Sequence, residues 1–322
     1  MNRISLLLIG VGVGAIQGCA QLKPATDVVS LYTFEPPAPT QTDNSKRLLD
    51  KFLGVRDGGD LYRSDANTVH YVSKQDVSES FEYDLANENF TFNKSMSRYA
   101  GNFVPQLPDP QQSVSLAEAY LRGNDIAPRD LSQLKVVHLG GLRATAVIDG
   151  KRAGPVIDEL VTVNFGRVVD GVPVIGPGSK IIVNVGDKGE IMGVIRRWRE
   201  LNTATKVNFR AEEVLSLREA EALARRQILA EYGEGASYRI LASGKRYYDN
   251  NGKVLQPVYS FEVTITLRDE RVRPFDYLCV IPMLRDSPEP LNLTAIDPMA
   301  KRLISSARRE QKAPAPERST SD

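Results

Sequence analysis

The sequence predicts an α+β fold built of tandem modules, each a helix packed on a twisted antiparallel sheet, and three observations carry that prediction. Short runs such as "NTVHYVS", "ESFEYDL" and "SKIIVNV" alternate apolar and polar residues, as strands with one buried face do. Conventional turn residues separate the strands: Asp170-Gly171, Asp187-Lys188-Gly189 and Asn250-Asn251-Gly252. Two helical segments, "SLAEA" (Ser115 to Ala119) and "SLREA" (Ser216 to Ala220), stand 101 residues apart, and strands follow each. A helix or a sheet alone would leave an apolar face in water, so the two must pack within a module.

The N-terminus comes first in chain order. Arg3 supplies a positive start, and Ile4 to Ile16 is a 13-residue apolar segment, too short to span a bilayer comfortably as a helix. "GVGVG" lies inside this segment, without the strand and helix that a nucleotide loop needs. Ile16-Gln17-Gly18-Cys19 resembles a bacterial lipobox, with Gln17 departing from the Ala, Ser or Thr usual at its place. That resemblance implies a lipoprotein signal peptide over residues 1–18. Cys19 would then carry diacylglycerol on its sulfur and an acyl chain such as palmitate on its amine. The competing reading is an ordinary signal peptide cut elsewhere, with Cys19 lost or left as a free thiol. Two or three acyl chains anchor stably where one does not, since each buried CH₂ contributes about 0.8 kcal/mol.

The expected location is therefore the bacterial cell envelope, lipid-anchored. In a two-membraned cell this is the periplasmic face of the outer membrane, which Ala20 favours. Otherwise it is the extracellular face of the plasma membrane. Without Arg3 the mature chain balances 40 basic against 40 acidic side chains, which gives no support for a nucleic-acid partner. Cys279 would be the only remaining thiol, so cohesion rests on packing.

Residues 19–44 read as a proline-rich tether, whose Pro24, Pro36, Pro37 and Pro39 favour extended backbone. At roughly 3.1 Å per residue it would reach about 70 Å, less if "VVSLYTF" pairs as a strand. Residues 45–110 form an N-terminal module, with Leu48, Leu49, Phe52 and Leu53 as the apolar stripe of a helix that Gly54 stops. In the module over 111–205, Ser115 and Glu118 form a capping box. In that over 206–285, Ser216 and Glu219 do so, and Gly233 ends the helix. Residues 286–322 read as a polar tail, largely disordered. Asp297-Pro298 opens a short basic helix within it, with Lys301, Arg302, Arg308 and Arg309 available to anionic headgroups unless its apolar side packs on the domain.

The stretch "VNFGRVVDGVPVIGPGSKIIVNVGDKGEIMGVIRRW" (Val163 to Trp198), with the two helices and "LQPVYSFEV", resembles PepSY-type domains over about Ser113 to Leu284. These domains occur in propeptides of secreted metallopeptidases and in standalone envelope proteins. The resemblance implies binding or restraint of a partner protein, often a peptidase. No peptidase domain follows here, so the partner stays unspecified.

Catalytic constellations do not assemble from the sequence. His70 and His138 sit in predicted strands and read as satisfied strand residues. With Cys279 they lack the carboxylates and spacing of a closed zinc site, so no metal or cofactor is expected. Ser179-Lys180 in "GPGSK" is neither a P-loop nor a nucleophile–base pair, because adjacent strand residues face apart. Asp158 and Glu159 are likewise consecutive, and Cys279 lies on an apolar strand as a small core residue. Aromatic residues gather in two places: Tyr62, Tyr71, Phe81, Tyr83, Phe90 and Phe92, then Tyr247, Tyr248, Tyr259 and Phe261. They read as core and cross-strand packing, or else as a binding surface.

The leading expectation is a non-catalytic, membrane-anchored lipoprotein that binds or regulates an unidentified envelope protein by strand addition at an open sheet edge. One alternative is an envelope hydrolase of peptide or glycan, with carboxylates that converge only in the fold. The other is a carrier of lipid or another apolar ligand, which requires a deep apolar cavity.

Overall fold

The computed structural model describes residues 28–39, 41–55, 67–99, 103–148, 151–152, 155–269, 271–289 and 291, with two further short strands. It is α+β. In chain order the elements are β1 (Ser5–Leu6), β2 (Val29–Phe34), α1 (Gln41–Leu53), β3 (Arg63–Ser64), β4 (Thr68–Val72), β5 (Ser80–Asp84), β6 (Phe90–Asn93) and α2 (Pro110–Gly123). Then come β7 (Leu134–Ala144), β8 (Ala146–Ile148), β9 (Lys151–Arg152), β10 (Ile157–Val169), β11 (Val172–Ile175), β12 (Lys180–Val185), β13 (Ile191–Arg197) and β14 (Leu201–Phe209). The chain continues through α3 (Leu217–Tyr232), β15 (Ser237–Asp249), β16 (Val254–Thr266) and β17 (Phe275–Pro282). It divides into two compact units: the first takes in Tyr32–Lys206, the second Val28–Leu31 and the chain from Val207 onward.

In the first unit the sheet runs β7–β10–β12–β13–β6–β5–β4–β3, each neighbouring pair antiparallel. One face carries both helices. The stripe predicted for α1 is buried at Leu48, Leu49 and Phe52, and the Phe52 ring stacks on Phe92 at 4.4 Å between centroids. From α2, Ala117 and Leu121 are fully buried with Val163, Phe165, Ile181 and Val183. Residues 45–110 and 111–205 thus share one sheet and one core rather than holding a core each. The join is the β6–β13 ladder, from Gly193 opposite Asn93 to Arg196 opposite Phe90. A four-stranded meander with one short helix buries little alone, and this pairing extends its apolar face into a larger one.

The second unit is a β15–β16–β17 meander with α3 across it. Ala220, Ala224 and Ile228 meet Phe261, Val263, Ile265, Cys279 and Ile281 in its core. Val29 joins the same core, and the neighbouring Ser30 donates to Asn208 Oδ1 at 2.8 Å.

The two helices correspond, but not through the echo in their sequences. Ser216 caps α3 as expected, its box with Glu219 is formed, and Gly233 follows at φ 88°. Helix α2 instead begins at Pro110, with Asp109 as N-cap and Gln112 as its box partner. Ser115 lies inside the helix, where its hydroxyl turns back to the Gln111 carbonyl at 3.2 Å. The cause is local: Asp-Pro supplies a capping carboxylate and a preset first helical residue six positions earlier. Caps Asp109 and Ser216 are 107 residues apart, and so are the buried triplets Ser113, Ala117, Leu121 and Ala220, Ala224, Ile228. The "SLxEA" echo at 101 residues is out of register with this repeat.

The expected tether is also shorter. Val29–Phe34 is a strand and Gln41–Leu53 a helix, both within or starting in residues 19–44. The expected polar tail begins with bound residues. Ser287 donates to Gln256 Oε1 at 2.8 Å, and Glu289 accepts from the Lys253 backbone N–H at 2.6 Å.

Candidate functional site

The β7 strand is the first feature of the site. It lies along β10, with Leu139 opposite Val163 and His138 opposite Asn164, and has no second strand partner among the described residues. Leu134 and Leu139 turn toward the core, while Lys135 to His138 are exposed, Val136 by 41% and Val137 by 63%. Two consecutive valines break the alternation of the strand. The ladder absorbs the extra residue in a bulge, since Val136 faces Phe165 and His138 faces Asn164, leaving Val137 between them. Val137 closes over Gly166, where a Cβ would stand 2.8 Å from its Cγ1. A second irregularity lies at Asp158/Leu160, near which Gly141 approaches the Leu160 carbonyl so closely that a Cβ would be 2.5 Å from it.

The sheet face turned away from the helices is polar in its middle, with an apolar cluster of Tyr99, Leu160 and Met192 at one end. Gly140, Thr162, Asn184, Gly193, Asn93 and Ser80 stand in register across six strands. Thr162 donates to Asn184 at 3.0 Å, and the Asn93 amide to Ser80 at 3.2 Å. In the next row Ile182 and Ile195 are a partly exposed apolar pair between Asn164 and Thr91. The β7 edge is basic, with Lys135 and Arg143, the latter paired with Asp158 at 2.5 Å. Such an arrangement is suited to main-chain pairing with an extended segment, with apolar contact at Val136 and Val137.

The residues singled out in the sequence fall as follows. Cys19 and Tyr62 lie outside the described residues, as does the segment from Asp297 to Arg309. His70 pairs with Glu82 at 3.7 Å on the polar face, and His138 is on the same face six strand spacings away. Ser179 is buried and accepts from Arg167 Nη1 at 3.2 Å. Asp158 is committed to Arg143, and burial alone raises the Glu159 carboxyl above its usual range. Cys279 is buried in the second core, which pushes its thiol up to about 12, helped by nearby Glu231. The described aromatics of both clusters are buried, from Phe92 fully to Tyr259 at 7% exposure, and so form core rather than an exposed row.

An open groove of about 560 Å³ lies at the start of α2, lined by Gln106, Pro108, Gln111, Gln112, Leu116 and Lys188. It sits outside the helix–sheet interface where an apolar carrier would hold its ligand. Among the described residues no three His, Cys, Asp or Glu side chains gather to hold a metal ion. The described helices include none long and apolar enough to cross a membrane.

Two features escaped the sequence reading. One is the bulged edge, whose signal was the consecutive Val136-Val137. The other is the buried Arg167, 1% exposed, stacked 4.0 Å over the ring of Trp198 and bonded to Ser179 and the Arg199 carbonyl.

Neither a protein-family model nor a curated protein matches the chain. Among solved structures, an uncharacterized protein from Eubacterium rectale aligns over 83% of this chain and 86% of its own, at 10% identity and a TM-score of 0.46. The C-terminal domain of Bacillus megaterium YpeB aligns over 74% of this chain and 96% of its own, at 8% identity and a TM-score of 0.33. These are distant likenesses of fold and carry nothing about activity.

Proposed function

We propose that the protein is a non-catalytic lipoprotein of the bacterial envelope, anchored through acylated Cys19, that binds and regulates a partner protein by strand addition at β7. The observation that carries the reading is the β7 edge, solvent-exposed from Lys135 to His138, with Val137 63% exposed. An edge strand presents unpaired N–H and C=O groups, and exposed apolar side chains beside them supply selectivity. The bulge at Val137 adds local twist, which selects against indiscriminate flat pairing. The lipobox-like Ile16 to Cys19 supports the anchor, and the PepSY-like pattern of Val163 to Trp198 supports a protein partner, such as a peptidase.

A photo-crosslinking residue at Val137, in cells making the full chain, tests this. The expected result is one dominant adduct, absent when the probe is moved to exposed Glu221 on α3. Val137→Asp should lower recovery of the same adduct from a probe at Lys135, with unchanged circular dichroism. Equal, diffuse adducts from Val137 and Glu221 would refute the assignment of the edge.

A further inference from the structure

We infer that the second unit is tethered to the membrane at Val29 by at most about 35 Å of chain. The inference rests on the lipid-anchor reading of Cys19 and adds to it the position of β2. Val29 is 9% exposed and packed in the second unit's core, Ser30 is 1% exposed and bonded to Asn208, and Leu31 packs against the same cluster. The chain is therefore taken into the second unit's core at β2. From Cys19 to Val29 there are ten peptide steps, and a chain spans at most about 3.3–3.6 Å per residue. At full stretch that is roughly 35 Å, about two-fifths of what the whole segment to residue 44 would give.

The bound holds whatever conformation those ten steps take, provided β2 stays in place. If β2 left the core, the next folded element would be α1 at Gln41, and the limit would more than double. Docking of β2 thus sets the working height of the protein.

The test uses the full acylated chain in vesicles that carry an energy acceptor on their headgroups. Cys279 is buried, so a donor can be placed selectively at an exposed Glu212→Cys in the second unit. A comparison form carries about 20 Gly/Ser residues inserted after Gln21, which lengthens the average reach from Cys19 to Val29 from roughly 17 to roughly 30 Å. Energy transfer is expected to be high in the unextended chain and to fall at least two-fold in the extended one. Equal transfer would overturn the inference, because β2 would then not be limiting the height. Mass spectrometry of the mature N-terminus separates the two ways of failing. An unacylated or absent Cys19 ends the anchor reading and the height with it, whereas an acylated Cys19 with equal transfer ends only the height.

Discussion

Removing two caps, Ser216 and Asp109, and the helix-interior hydroxyl of Ser115 one at a time distinguishes the structural repeat from the sequence echo. Ser216→Ala deletes the acceptor of the Glu219 amide, at 3.3 Å, and the donor to the Glu219 carboxylate, at 2.7 Å. Loss of such an N-cap costs about 1 kcal/mol, or about five-fold in the opening equilibrium of the helix end. Asp109→Ala removes the acceptor of the Gln112 amide at 2.8 Å and should cost the same in α2. Ser115→Ala removes only a side chain that turns back on the Gln111 carbonyl from an exposed helical position. Alanine is the better helix former by about 0.5 kcal/mol, so this change should be neutral or slightly stabilising. Amide hydrogen exchange across α2 and α3 reads each helix separately and does not require whole-chain unfolding to be two-state. Exchange at the α3 N-terminus should quicken about five-fold in Ser216→Ala, and at the α2 N-terminus in Asp109→Ala. If Ser115→Ala destabilised α2 as much as Ser216→Ala does α3, the helix would start at the echo and the 107-residue register would be wrong.

Four further outcomes follow from the packing and charge described above. Arg167→Lys loses the planar stack on Trp198 and should destabilise the first unit by about 3 kcal/mol, read as a lower urea midpoint. Trp198 is the only tryptophan, so its fluorescence follows that unit alone. Glu219 is held at about 2, first by the Ser216 hydroxyl and backbone and then by Arg285, against an ordinary 4.5. A depressed carboxyl stabilises fully above its unfolded value and loses that contribution as pH falls through the folded one. The difference in melting temperature between the native chain and Glu219→Gln should therefore be constant above about pH 5 and shrink toward pH 2. Gly141→Ala sets a Cβ against the Leu160 carbonyl and should cost about 2 kcal/mol, measured by the midpoint of Trp198 fluorescence. Cys279 should resist thiol reagents in buffer and react at the denaturant concentration that opens the second core.

Local signals were legible and long-range ones were not. For α3, a cap, a box partner and a terminal glycine all lie within one segment and resolved as expected; Ala220, Ala224 and Ile228 are buried at helical spacing, whereas Leu217, read as part of the same stripe, is 46% exposed. For α2, the same kind of signal was present at Asp109-Pro110 but was outweighed by a repeated pentapeptide with no structural meaning. That residues 45–110 share a core with α2 depends on Phe90 to Asn93 pairing with Gly193 to Arg196. Nothing near either strand in sequence states that pairing. The candidate edge was only partly legible: "LKVVHL" reads as a strand, yet its bulge went unread and edge position is a property of sheet order. Arg167 and Trp198 meet across strands, and neither residue's surroundings announce the other.

The second unit is discontinuous, and this orders events during synthesis. Val28–Leu31 leave the ribosome among the first residues of the folded body, but the Asn208 that Ser30 bonds and the Phe261 and Ile281 of Val29's core are made much later. The first unit can complete its sheet at Lys206 while this segment still lacks its partners. A fragment beginning at Val207 would lack one buried strand of its own core, and should need Val28–Leu31 restored by circular permutation or as a separate peptide.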